Sequence, residues 1–347
     1  MATRSFSPRV VARHAVIVAI LALACNPVFF VIYRLMIFNT VPKDDYAPFL
    51  LWLVGAPGGG FPESPYGYRV LSMVAAAPFY YVLPSFHLTN LPAGLAEPYV
   101  RATAAIAALS YLSLLLATVL AYRTARDRCN LDRHGGMLAG VVLFVLALHS
   151  QIFGIDGFAI LLVTAGVFVL PDRYCFASLI IASVFCNEKV AIVFAIWLTL
   201  RCALYEEDRH ALGVQWITSL LAIALYAVAI RAVHISGNSY QLDPAQYFTT
   251  LLDNIAATFS PRGLILNVLP VAVLFAVAWA GRQFGGAAAY SVFRAADIYV
   301  IPLLALVALV LTQRFQMGRI VMHSAPLFAV PFAAAMGRCM APAPPTR

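Results

Sequence analysis

The spacing of its charges constrains this chain more than any other feature. Between Val100 and Tyr122 the only charged residue is Arg101, and between Gly136 and Leu170 it is Asp156. Between Leu264 and Gly281 there is none. A helix on the surface of a soluble protein pairs one apolar stripe with a polar face, and runs like these have no polar face to offer water. The whole chain repeats the pattern, with 62% apolar and 11% charged residues, against roughly 45–50% and about 25% for a soluble domain. A soluble enzyme, a disordered chain and a fibrous chain are excluded. The expected fold is all-α, a polytopic transmembrane helical bundle of about 10 segments of about 20 residues each, some of them short or re-entrant. It forms a single membrane domain over 1–340. The Pro-rich tail 341–347 is expected to be disordered.

The net charge of +8 does not point to nucleic acid. Of 23 basic residues, only Lys43 and Lys189 are lysines, and the arginines stand in short clusters between apolar runs, where they set orientation in a membrane. Arg4, Arg9 and Arg13 precede an apolar run from His14 to Phe38 that is too long for a signal-peptide core, so an uncleaved first span with a cytoplasmic N-terminus is expected. The cluster Arg123, Arg126, Arg128 and Arg133 marks the inner end of the span Val100–Tyr122. Residues 39–99 then form an outer loop, and its short apolar pieces Phe49–Val54 and Val70–Leu83 are expected to lie along the membrane. Further spans are expected over Gly136–Ser150, Ile155–Leu170, Leu212–Val233, Leu264–Ala280, Ile298–Leu311 and Ile320–Met336. A second outer loop covers 234–263. The run Cys175–Leu200 carries Asn187-Glu188-Lys189 at its middle, and two helices meeting at Asn187 would lift those charges out of the hydrocarbon. Both termini then lie in the cytoplasm of a bacterium whose inner membrane holds the chain. The cysteines show no metal-ligand spacing, and no disulfide is expected. No internal repeat is visible.

Four places carry candidate chemistry. Asp44-Asp45 follow the first span, and two adjacent carboxylates there suit a general base, a metal ligand or simply a solvated turn beside Pro42. Tyr68-Arg69 opens the second surface helix, as a phosphate fork or an interfacial anchor. Glu188-Lys189 sits within an apolar run, where ionisable residues mark a functional site or pair with another helix. Arg314 and Arg319 flank a turn between late spans, with His323 one turn beyond Arg319 on the same face. This set suits a phosphate or diphosphate, or a polar turn that reaches out to water. No phosphate-cradling glycine loop, catalytic triad or zinc pattern is present.

On these residues the chain resembles the GT-C superfamily of integral-membrane glycosyltransferases, as a small bacterial member using a polyprenyl-phosphate-linked sugar. The resemblance spans most of the chain as an architecture, on short motifs. It implies that Asp44 or Asp45 is the first-loop acid and that Tyr68-Arg69 is the Tyr-Arg element following it. Glu188-Lys189 would be the mid-chain charged position, and Arg314 and Arg319 the late basic residues holding donor phosphate. It also implies inverting transfer on the periplasmic face to a lipid or glycan acceptor. The partners would be membrane lipid, the polyprenyl-phosphate sugar and that acceptor. No cofactor is required. A divalent cation is not indicated, because one acid pair alone offers oxygen ligands in the first loop. Two departures stand out: no soluble outer domain at the C-terminus, and a short chain. The residues leave two other classes open, a transporter or flippase for an anionic or lipid-linked solute and a non-catalytic envelope-assembly subunit.

Overall fold

The structure, a computed structural model, describes residues 46–61, 69–84, 97–148, 155–232, 244–285, 292–311 and 316–340. Among these, every regular element is helical. In chain order they are α1 (Ala47–Leu53), α2 (Val70–Val82), α3 (Glu97–Arg123), α4 (Arg133–Leu148), α5 (Asp156–Val169), α6 (Arg173–Val184), α7 (Lys189–Leu204), α8 (Glu206–Ala232), α9 (Pro244–Thr258), α10 (Leu269–Phe284), α11 (Val300–Leu311), α12 (Met317–Val321) and α13 (Pro326–Met340). A π turn, Thr124–Arg128, extends α3, and another, Leu264–Val268, leads into α10.

Three helical stretches are long and apolar enough to cross a membrane: Glu97–Arg128, Glu206–Ala229 and Pro261–Phe284. A fourth is formed if α12 and α13, bent by 64° at Ala325, count as one span. The helices among the described residues do not establish the expected bundle of about ten membrane segments. The helices α4, α5 and α6 have 16, 14 and 12 residues. At about 1.5 Å per residue each falls short of a hydrocarbon core about 30 Å thick. The expected first span, His14–Phe38, lies outside the described residues. The second expected loop is not featureless, since α9 occupies it and packs on α11.

Local sequence accounts for the boundaries. Asp172 caps α6, its carboxylate accepting the N–H groups of Cys175 and Tyr174 at 3.1 and 3.0 Å, which holds that carboxyl below the usual carboxylate range. Ser260 caps the turn before α10 through the Gly263 N–H.

Packing centres on α5, which lies against α3, α6, α7 and α13. Gly166 lets α5 approach α7 closely, because a Cβ there would stand 2.4 Å from the Phe194 ring. One core runs from α3 to α13, and a smaller one joins α1, α2, the start of α3 and Ile155. Outside these cores the long helices are bare. Only 17% of the membrane-length window of α8 and 28% of that leading through α10 is buried. Val214, Ile217, Leu221 and Val228 on α8, Ile265 in the π turn before α10, and Leu269 and Val273 on α10 are exposed. Apolar faces of this extent suit lipid rather than water.

Candidate functional site

The site grows from a broken helix. The run that begins at α6 breaks at 185–188 before α7 starts, as two helices meeting at Asn187 would require. A break frees backbone carbonyls that must find donors. The first turn of α2 supplies them. The Leu71 N–H donates to the Phe185 carbonyl at 3.1 Å and the Ser72 hydroxyl to the Cys186 carbonyl at 2.7 Å. The Asn187 side-chain oxygen accepts the Lys189 N–H at 3.2 Å. The Asn187 Nδ2 is buried with no hydrogen-bond partner among the described residues.

Docking α2 on the break brings Arg69 to Glu188. The guanidinium forks onto the carboxylate, with Nε 2.9 Å from Oε2 and Nη2 donating to Oε1. Arg69 also donates to the Tyr46 hydroxyl. A cation at the N-terminus of α2 opposes the helix dipole, whereas Glu188 at the N-terminus of α7 is favoured by it, so the carboxylate compensates both helices.

A second carboxylate completes the arrangement. Asp156 opens α5 and is 1% exposed. It accepts from Arg319 on α12, lies 3.6 Å from the Lys189 Nζ, and lies 3.2 Å from the His323 Nε2. The next residue ties α5 to α3, the Gly157 N–H donating to the Ser110 hydroxyl at 3.0 Å. Arg319 is seated by close packing of its helix. A Cβ on Gly318 would stand 2.2 Å from the Leu266 carbonyl in the π turn before α10. The Gly318 N–H points at the Asn267 side-chain oxygen from 3.5 Å.

Of the residues singled out from sequence, Arg69, Glu188, Lys189, Arg319 and His323 therefore converge. Asp44, Asp45, Tyr68 and Arg314 lie outside the described residues. Asp156 and Tyr46 are not among the residues singled out from sequence. The signal for Asp156 was present, as the one charge between Gly136 and Leu170. Among the described residues the cluster holds three cations, Arg69, Lys189 and Arg319, against two carboxylates. An apolar groove of about 530 Å³ runs between α10 and the start of α11, with Met317 of α12 also in its wall. Among the described residues, no three His, Cys, Asp or Glu side chains stand together as a metal site would need.

A second buried charge network lies elsewhere. Arg201 at the end of α7 forks onto Asp297 at 2.9 and 2.7 Å and reaches Asp208 at 3.2 Å, with its guanidinium over the Trp197 ring. Arg294 bridges Asp208 and Glu207 at 3.1 and 3.2 Å. Each of these charges is paired, which is how a structural tie among α7, α8 and the 3₁₀ turn Ala295–Tyr299 behaves.

Compared with known protein families, curated proteins and solved structures, the chain matches none.

Proposed function

We propose that this chain is a membrane glycosyltransferase of the GT-C type, moving a sugar from a polyprenyl-phosphate carrier to a lipid or glycan acceptor. In this reading the chain crosses the inner membrane about ten times, has cytoplasmic termini and works at the periplasmic face. The observation that carries it is the meeting of Arg69, Glu188, Lys189, Arg319 and His323, largely shielded from solvent and drawn from three separate parts of the chain. Buried charges are costly in a membrane protein and persist where function uses them.

In the proposed reaction an acceptor hydroxyl oxygen bonds to the anomeric carbon. The bond from that carbon to the phosphate oxygen breaks, and its electron pair stays on the phosphate. The acceptor proton passes to Asp44 or Asp45. Lys189, Arg319 and Arg314 stabilise the charge that develops on the leaving phosphate, while Glu188 holds Arg69 and the preceding Tyr68 in place. No metal is needed for these steps.

The test offers purified protein in lipid a panel of polyprenyl-phosphate sugars with mixed acceptors, and follows free polyprenyl phosphate by mass spectrometry. Wild type releases it, and Asp44→Asn/Asp45→Asn does not. Lys189→Ala and Arg319→Ala each slow release by roughly 10²–10³-fold, the scale of losing one charge-stabilising donor. Absence of release from every donor by folded protein would overturn the reading in favour of transport or scaffolding.

A further inference from the structure

The hydrogen-bond geometry around His323 sets its charge. The residue has no exposure to solvent. Its Nδ1 lies 3.0 Å from the Arg319 carbonyl oxygen and 3.2 Å from that of Ile320. A carbonyl oxygen only accepts, so Nδ1 carries a proton. On the opposite edge of the ring, Nε2 lies 3.2 Å from Asp156 Oδ1. A neutral imidazole protonated at Nδ1 presents a lone pair at Nε2. Two lone pairs facing each other at that distance, in a place closed to water, repel. One more proton between Nε2 and Oδ1 turns the repulsion into a charge-assisted hydrogen bond. Arg319 and Lys189 favour negative charge on the same carboxylate; they and burial also oppose charge on the ring, and against that stands the close Nε2–Oδ1 contact, which only a proton between the two atoms makes attractive.

We propose that Asp156 and His323 form a buried proton-binding site in which His323 is an imidazolium, and that His323 is thereby a positioning residue for the cations of the site. Asp156 then accepts from three donors, Lys189 of α7, Arg319 of α12 and His323 of the 3₁₀ turn Met322–Ser324 that follows α12, and Lys189 is the loosest of them. Loss of the proton leaves Asp156 with two donors and draws the Lys189 ammonium in from 3.6 Å, away from any anion it would bind. This consequence rests on the phosphate-binding reading above; the charge of the pair does not. The groups facing the ring are Asp156 from α5, Lys189 from α7 and Arg319 from its own helix. The other helices packed here carry their titratable residues at their ends: Arg133 and His134 on α4, Arg282 on α10, and Arg338 and Cys339 on α13.

The test is nitrogen NMR on full-length protein labelled with ¹⁵N-histidine, in lipid nanodiscs at neutral pH, with His323→Gln to assign the signal. We expect a one-bond nitrogen–hydrogen coupling at both ring nitrogens of His323. In Asp156→Asn the Nε2 coupling is lost, and Asp156→Glu restores it. An unprotonated Nε2 in wild type would overturn the proposal whether or not the Asp156 variants fold, and so would an Nε2 proton that survives Asp156→Asn. Since no sugar donor is used, failure here is separate from failure of the release assay.

Discussion

At the residue scale, the two buried charge networks have different characters. Around Arg201 the bonds are short and mutual: Asp297 and Asp208 share the guanidinium, and Asp297 also accepts the Arg294 N–H at 2.8 Å. Around Asp156 the pairing is uneven, with Lys189 standing 3.6 Å off. The first network is expected to act in stability. Arg201→Met leaves Asp297 and Asp208 buried without their main partner, and breaking a buried pair this way costs about 3–5 kcal/mol. Thermal unfolding in detergent should therefore show a marked fall in midpoint for Arg201→Met. The Lys189→Met midpoint should stay close to wild type, since that ammonium makes no short bond. The residues that sequence reasoning found were those whose charge broke an apolar run, such as Glu188 and Lys189. Asp156 is harder to find, because a single acid between two apolar runs also suits a turn, and so is Arg201, because an arginine after an apolar run also suits a membrane edge.

At the element scale, the site exists because helices stop where a longer helix would have been easier to build. The α6–α7 break exposes carbonyls that α2 covers, and in covering them α2 delivers Arg69. The α12–α13 bend and the π turn before α10 work together in the same way, with Gly318 pressed on the Leu266 carbonyl. Gly318→Ala cannot be absorbed by a flexible side chain, because the obstacle is backbone. Overpacking of this kind costs about 1–3 kcal/mol, and α12 must shift. The expected outcome is a lowered unfolding midpoint together with loss of polyprenyl-phosphate release, while Gly337→Ala, with nothing within 4 Å of its Cβ, leaves both unchanged. The break at Asn187 could be read from sequence because its charges would be costly at midplane. The bend at Ala325 and the π turn could not, because an apolar run reads the same whether straight or kinked.

At the scale of the whole molecule, α8 and the stretch leading through α10 carry bare apolar faces of membrane length. Leu221 is 62% exposed in the middle of α8. Leu221→Arg should reduce membrane insertion, since an arginine at the centre of a span costs about 2.5–3.5 kcal/mol on insertion scales. Fractionation of the expressed protein would show this. By itself the sequence determined that the chain is helical and carries apolar runs long enough for a membrane, because apolarity adds up residue by residue along the chain. Only the tertiary structure decided which charges share a site. Arg69 meets Glu188 across 119 residues and Arg319 meets Asp156 across 163. Pairings of that range depend on where helices break, bend and pack, and no local pattern of residues records them.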